Sequence, residues 1–216
     1  MHPFYLEFLK LLENEDKEKC VEYIILKLDR KEIDVRTLYT ELLEPSLNLF
    51  YCDAEDEELC IWKEHIRTSI IHTIIEICYP YLIKEKKERG IKSNQIKVLV
   101  ACPAEELHDV GAKMIADFFT LYGFDAIYIG ANTPRTEFRD AINILKPKII
   151  ALSVTNYFNL MEAEKAISLI KEHTDFDGKI IVGGLAFMSN PEIYKKIGAD
   201  IFLENYKDIQ KLTVEV

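Results

Sequence analysis

No glycine occurs before Gly90, and the whole chain of 216 residues holds only eight. A glycine-free stretch cannot build Gly-rich phosphate loops or glycine hairpin turns, and it leaves helix as the natural state of that half. The five cysteines Cys20, Cys52, Cys60, Cys78 and Cys102 are odd in number and never stand as C-x-x-C. That spacing argues against a zinc site or a disulfide framework, and reduced core thiols in a cytoplasmic protein are expected. Basic charge is scarce: 27 Lys and Arg face 37 Asp and Glu, for a net charge of −10. The carboxylates are spread along the chain, which excludes the clustered basic surface that direct nucleic-acid binding needs. No apolar run approaches the roughly 20 residues of a membrane span. Met1 to Lys17 is too acidic and too interrupted for a secretory signal. What is abundant is apolar side chain, 49% of the sequence, enough for a sizeable core.

The composition changes near residue 90. Before it, apolar residues recur at helical spacing in four segments: Pro3–Glu13, Lys17–Leu28, a run from the candidate N-cap Asp34 to Phe50, and Glu55–Ile77. Pro80 is expected to kink or restart the last of these, which ends at Gly90. This predicts a helical bundle over residues 1–89. After a linker the period switches. Apolar strands are expected at Ile96–Ala101, Ala126–Ile129, Lys148–Val154, Lys179–Val182 and Asp200–Phe202. Helices lie between them, one starting at Thr133 as N-cap. The fold class is therefore α/β: a helical bundle cap, then a flavodoxin-like, doubly wound, five-stranded parallel sheet over residues 95–216. Such sheets bind ligands at the carboxyl ends of their strands.

Three of those strand ends carry suggestive residues. The first reads Glu106-Leu107-His108-Asp109-Val110-Gly111. A neutral imidazole there can ligate a transition metal, and Glu106 can accept its other ring N–H. The third ends Ser153-Val154-Thr155, with two hydroxyls on one side of the strand. The fourth ends in Gly183 and Gly184, which allow close approach by a backbone or a flat ligand. Taken singly, each also reads as a solvated loop histidine, local capping, or a tight turn. In the bundle, Trp62, His65, Ser69 and His72 share a stripe of the fourth helix, with Glu64 about 100° away. That stripe reads as a buried polar seam or as a partly exposed helix edge.

Together the three strand ends resemble the cobalamin-binding module, whose helical cap precedes its α/β domain. The resemblance implies cobalamin as cofactor, in its adenosyl or methyl form. It implies that His108 is the lower cobalt ligand in place of the cofactor's own dimethylbenzimidazole, with Glu106 orienting it. The rest of the loop, Leu107, Asp109, Val110 and Gly111, would frame the cofactor. Ser153, Thr155, Gly183 and Gly184 would line the slot for the nucleotide tail, and the bundle would cover the upper face of the corrin.

Within that family the chain is similar to two subgroups. Glu at 106, Tyr128–Pro134, Ala151–Thr155, and Leu43-Glu44-Pro45 followed by Glu64-His65 resemble the adenosylcobalamin photoreceptors of light-dependent MerR-type repressors. That resemblance implies a sensor or regulatory module without turnover, in which Trp62 and Glu64 contact the upper ligand and His65 takes the upper cobalt position. Ala54 stands where those sensors carry Trp, leaving Phe50, Tyr51 or Trp62 to shield the adenosyl group. Their DNA-binding domain has no counterpart, so output is expected through a signalling partner or self-association into a homo-oligomer. The second subgroup is the small corrinoid proteins that carry methyl groups between methyltransferases. It implies a methyltransferase partner and an upper face left open by Ala54.

Overall fold

Apolar residues three and four positions apart fold the glycine-free half into helices. The computed structural model describes residues 2–49 and 57–212, with only the backbone at 57–59. Two units divide the chain, Met1–Arg89 and Gly90–Val216. In the first, α1 (Tyr5–Glu13) buries Tyr5, Phe8 and Leu12, and α2 (Lys17–Asp29) buries Cys20, Ile24 and Leu28. Leu6 remains exposed on the opposite face of α1. The Asp16 carboxylate caps α2 by accepting from Lys19 N–H, a bond worth about 1 kcal/mol at a helix start.

The segment from Asp34 departs from the single regular helix expected. Asp34 does cap it, accepting Thr37 N–H at 2.7 Å. After α3 (Val35–Thr37) the backbone widens to a π-helix at Leu38–Leu43 before α4 (Glu44–Asn48). Widening by one residue per turn lets Leu38, Tyr39, Leu42 and Leu43 all reach the core. Next, α5 runs unbroken from Glu57–Glu88 with Pro80 inside it. Proline removes one helical hydrogen bond and frees a carbonyl. Pro80 is exposed, so water reaches that position and the helix continues. Ile70, Ile71, Ile74, Ile75, Cys78 and Leu82 form the buried stripe of α5. Cys20, Cys78 and Cys102 are buried and form no disulfide. Cys60 is disulfide-bonded, which corrects the expectation of five reduced thiols: an odd count still allows one pair.

The second unit is a five-stranded parallel sheet of order β2-β1-β3-β4-β5. Its strands are β1 (Lys97–Ala101), β2 (Asp125–Tyr128), β3 (Ile149–Ser153), β4 (Lys179–Gly183) and β5 (Ile201–Leu203). The helices α6 (Val110–Leu121), α7 (Arg135–Leu145), α8 (Leu160–His173), α9 (Ile193–Lys196) and α10 (Asp208–Leu212) connect or follow them. Residues 98–101, 149–152 and 180–182 are buried throughout, as strands covered on both faces must be. The chain steps from β1 one way to β2 and the other way to β3, so a crevice opens between the carboxyl ends of β1 and β3. No helix among the described residues is long and apolar enough to cross a membrane.

Thr133 is not the N-cap of α7. Pro134 holds that position with extended backbone (φ −61°, ψ 144°), and no side chain caps the helix. The Thr133 N–H is instead committed to Cys102 O at 3.1 Å, and Pro103 bridges to Thr133 beyond the end of β1. Tertiary pairing of two sheet-edge loops has overridden the local capping preference.

Candidate functional site

Three loops meet at the crevice between β1 and its neighbours. The loop after β1 turns sharply at Glu105, whose φ of 68° is unusual for a residue with a Cβ. The loop after β2 holds that turn in place. Asn132 Oδ1 accepts Glu105 N–H at 2.8 Å, and Asn132 N–H donates to Glu106 O at 2.8 Å. The turn drives the Glu106 side chain inward, to full burial, and leaves the His108 side chain 57% exposed at the edge.

Glu106 is the hub of the site. Its Oε1 lies 2.6 Å from His108 Nδ1 and also accepts His108 N–H at 3.0 Å. Its Oε2 accepts Thr155 N–H and Asn156 N–H, each at 2.9 Å, and Asn159 Nδ2–H at 3.1 Å. Burial pushes the carboxyl pKa up. The hydrogen bonds from Asn156, from His108 main chain and ring, and from Asn159 outweigh it, and the net shift is downward. Glu106 is therefore an anion that only accepts. The neutral His108 ring must carry its hydrogen on Nδ1 and present the Nε2 lone pair on its far, exposed side. An imidazole so fixed is prepared to ligate a metal from one defined direction.

The neighbouring residues complete the frame. The buried Cys102 thiol donates to His108 O at 3.8 Å, and burial pushes its pKa up to about 12. Asp109 Oδ2 accepts the Tyr128 hydroxyl at 2.7 Å, tying the start of α6 to the end of β2. Val110 is buried under the loop, whereas Leu107 is exposed beside His108. A Cβ at Gly111 would meet nothing within 4 Å. Ser153 and Thr155 are half-buried at the end of β3, and neither hydroxyl is hydrogen-bonded to another described residue. Both are thus available to a ligand entering the crevice, and this donor set fits a metal cofactor with a polar tail.

The two glycines at the end of β4 differ. A Cβ on Gly184 would stand 2.3 Å from Val154 O, and its φ is 104°. Its missing side chain is taken up by the Val154 backbone, which accepts Ala186 N–H at 3.2 Å. Gly183 approaches Leu203 O, where a Cβ would sit at 3.1 Å. Gly184 thus lets the loops after β3 and β4 close on one another, and Gly183 lets the end of β4 lie close to the end of β5.

In the helical unit, Trp62, His65 and Ser69 are exposed on α5 and His72 is half-buried, so the stripe is a helix edge and not a buried seam. His65 Nε2 lies 3.8 Å from Glu64 Oε2, and Glu64 Oε1 accepts the Thr68 hydroxyl at 2.6 Å. Phe50, Tyr51 and Ala54, named for the upper face, lie outside the described residues. Sequence reasoning missed Tyr128, Asn132, Asn156 and Asn159 as site residues. Tyr128 and Asn132 lie in the Tyr128–Pro134 stretch that carries the resemblance, and Asn156 Oδ1 caps the following 3-10 turn through Phe158 N–H.

A family model described as the B12 binding domain matches residues 96–208. The "Trimethylamine corrinoid protein 2" of Methanosarcina mazei is 27% identical over 138 residues, which cover 62% of this chain and 60% of that protein. The match thus spans about three fifths of that relative's length. The solved structure of a Methanosarcina barkeri monomethylamine corrinoid protein superposes with a TM-score of 0.78 at 17% identity, covering 97% of this chain and 96% of that one. It shows the fold. A chain of the methanol:cobalamin methyltransferase complex of Methanosarcina barkeri aligns with a TM-score of 0.51 at 14% identity, over 96% of this chain and 76% of that one.

Proposed function

This chain belongs to the B12-binding domain family, and we propose that within it the protein is a corrinoid methyl carrier that works with a methyltransferase. Its cofactor is cobalamin. The observation that carries the reading is the His108 ring, whose Nδ1 is held by a buried carboxylate while Nε2 faces outward at the sheet's switch point. Bound cobalamin supplies a cobalt centre that accepts and gives up a methyl group. The protein supplies position and axial-ligand tuning. His108 Nε2 would ligate the cobalt while Glu106 holds the ring, and Ser153 and Thr155 would hydrogen-bond the cofactor's polar tail. In this reading residues 95–216 are the cofactor-binding unit and residues 1–89 a separate helical unit.

The carrier reading is favoured over the light sensor by the names of the relatives, which are trimethylamine and dimethylamine corrinoid proteins. A methylamine is accordingly the class of methyl donor we assign to the partner enzyme. His65, on which the sensor reading leaned, is a 72% exposed side chain beside Glu64.

The test is methyl uptake by reduced, cobalamin-loaded protein from a methylamine in the presence of a corrinoid-dependent methylamine methyltransferase, followed by the absorption of the bound cofactor. Uptake that is lost in His108→Ala supports the carrier. Loaded protein that takes up no methyl group, but whose adenosylcobalamin spectrum changes irreversibly under green light in a His65-dependent way, would return the sensor.

A further inference from the structure

Large apolar side chains crowd the loops around His108 and stand in water. Leu107 lies on the loop after β1, Tyr157 and Phe158 on the 3-10 turn Tyr157–Asn159 after β3, and Met161 on the first turn of α8. Leu185 and Met188 lie at the short turn Leu185–Phe187 after β4. All six are exposed, Phe158 at 84%. Among the described residues of the α/β unit, only Ile144 is a large apolar side chain exposed elsewhere. Single apolar residues are ordinary on a surface, whereas a contiguous group marks an interaction site. Hydrogen bonds hold these loops together. Asn159 Nδ2 donates to Glu105 O at 3.2 Å, tying the turn after β3 to the loop of Leu107. Ala186 N–H donates to Val154 O at 3.2 Å, tying the end of β3 to the turn after β4. The turn of Phe158 is itself pinned: Asn156 Oδ1 accepts Phe158 N–H at 3.1 Å, and Asn156 O accepts Asn159 N–H at 2.9 Å.

The charge around this collar has one sign. The loops at the carboxyl ends of β1 to β4, residues 102–109, 129–134, 154–159 and 184–192, contain no Lys or Arg, and they carry Glu105, Glu106, Asp109 and Glu192. Glu105 is exposed, as is Glu164 one turn beyond Met161, and neither carboxylate pairs with a described residue. Cations on the adjoining helices are already engaged. Glu162 takes both Arg135, at 3.5 Å, and Lys165, at 2.6 Å, and Glu192 takes Lys195 at 2.6 Å. Lys97, Lys148 and Lys179 stand at the opposite edge, at or just before the amino ends of β1, β3 and β4. We propose that the collar is the docking surface for the methyl-donating enzyme, which meets it with an apolar lip flanked by Lys and Arg. The proposal rests on the carrier reading. Transient interfaces pair an apolar centre with a polar rim, and complementary charge at the rim speeds encounter and rejects wrong partners. A second copy of the chain would repeat the same carboxylates, and an uncharged lip would leave them unanswered.

The experiment uses the full chain loaded with cobalamin and a corrinoid-dependent methylamine methyltransferase, and reads the carrier concentration that half-saturates methyl transfer. Phe158→Ser with Met161→Ser removes the centre of the collar, and Glu105→Lys with Glu164→Lys reverses its rim. The first pair is expected to raise half-saturation about 10-fold or more, the loss that truncated interface anchors produce. The second is expected to raise it at low salt and to abolish the weakening that added salt causes in wild type. Neither pair is expected to change the unfolding midpoint of the cofactor-free chain or its affinity for aquacobinamide, a corrinoid without a nucleotide tail. Unchanged half-saturation in either pair would overturn the proposal. A matching loss of cobinamide affinity would overturn it too, by putting the collar against the corrin. So would a lowered unfolding midpoint in Phe158→Ser with Met161→Ser, which would put the collar against the chain's own helices. Self-association of wild type that this pair abolishes, read by sedimentation, would assign the collar to a second copy instead. Wild type that binds cobinamide but accepts no methyl group would remove the carrier reading, and this partner with it.

Discussion

Glu106 Oε1 lies 2.6 Å from His108 Nδ1, and the same carboxylate is closed to solvent. A ligand histidine is thereby fixed in one tautomer before any metal arrives. Replacing Glu106 with Gln puts an amide where only acceptors fit, facing three N–H donors from the β3 side. Cobalamin affinity is expected to fall about 10- to 100-fold. His108→Ala is expected to abolish histidine ligation outright. Titration followed by visible absorption checks both, and equal affinity of Glu106→Gln and wild type would remove Glu106 from its orienting role.

The same carboxylate makes stability depend on pH. Its folded pKa lies below the unfolded value, so its contribution is present above about pH 4.3, the ordinary range for Glu. That contribution is lost as pH falls through the folded value. Urea unfolding of cofactor-free wild type and Glu106→Gln should therefore differ by about 1 to 3 kcal/mol at neutral pH, the cost of leaving buried donors unpaired. The gap should close as acid protonates Glu106 in wild type. A gap independent of pH would mean that the anion is not what the loops are built around.

Much of this was legible in the sequence, for identifiable reasons. Buried parallel strands read as continuous apolar runs, so Ile149–Ser153 and Lys179–Gly183 stood out. The pairing of Glu106 with His108 was legible because the two are neighbours. The rest of the hub was not, because Asn159 lies 53 residues from Glu106 and an asparagine in a loop ordinarily signals a turn. Nor could helical periodicity distinguish an α-helix from the π-helix at Leu38–Leu43, since both bury a leucine-rich face.

Gly184 marks where two loops touch. Its Cβ would sit 2.3 Å from Val154 O, at a φ of 104° that side chains rarely adopt. Gly184→Ala is expected to cost about 1 to 3 kcal/mol in backbone strain alone, with the clash in addition. At Gly183 the nearest atom would be 3.1 Å away and φ is unstrained, so Gly183→Ala should cost less. Denaturant midpoints of the two variants test the order, and the reverse order would contradict the packing described.

Cys102 lies beneath the loop of His108, donating to His108 O, with burial pushing its thiol up to about 12. The reactive thiolate is therefore scarce at neutral pH and the sulfur is covered. Mass spectrometry after iodoacetamide should find Cys102 unmodified in the folded protein and modified in urea. Rapid labelling in the folded state would show that the His108 loop opens on its own.

Ser153 and Thr155 offer a separation of binding from stability. Their hydroxyls are hydrogen-bonded to no other described residue, so Ser153→Ala with Thr155→Val should leave the unfolding midpoint of the cofactor-free protein nearly unchanged. If the hydroxyls hold the nucleotide tail, each lost bond weakens cobalamin by about 0.5 to 1.5 kcal/mol. Together that is roughly a 5- to 140-fold loss at 1.4 kcal/mol per decade. Aquacobinamide has no tail to lose and should bind the double variant as it binds wild type. Equal weakening of both corrinoids would place the hydroxyls at the ring and not in a tail slot, and weakening of neither would leave the end of β3 without a part in cofactor binding.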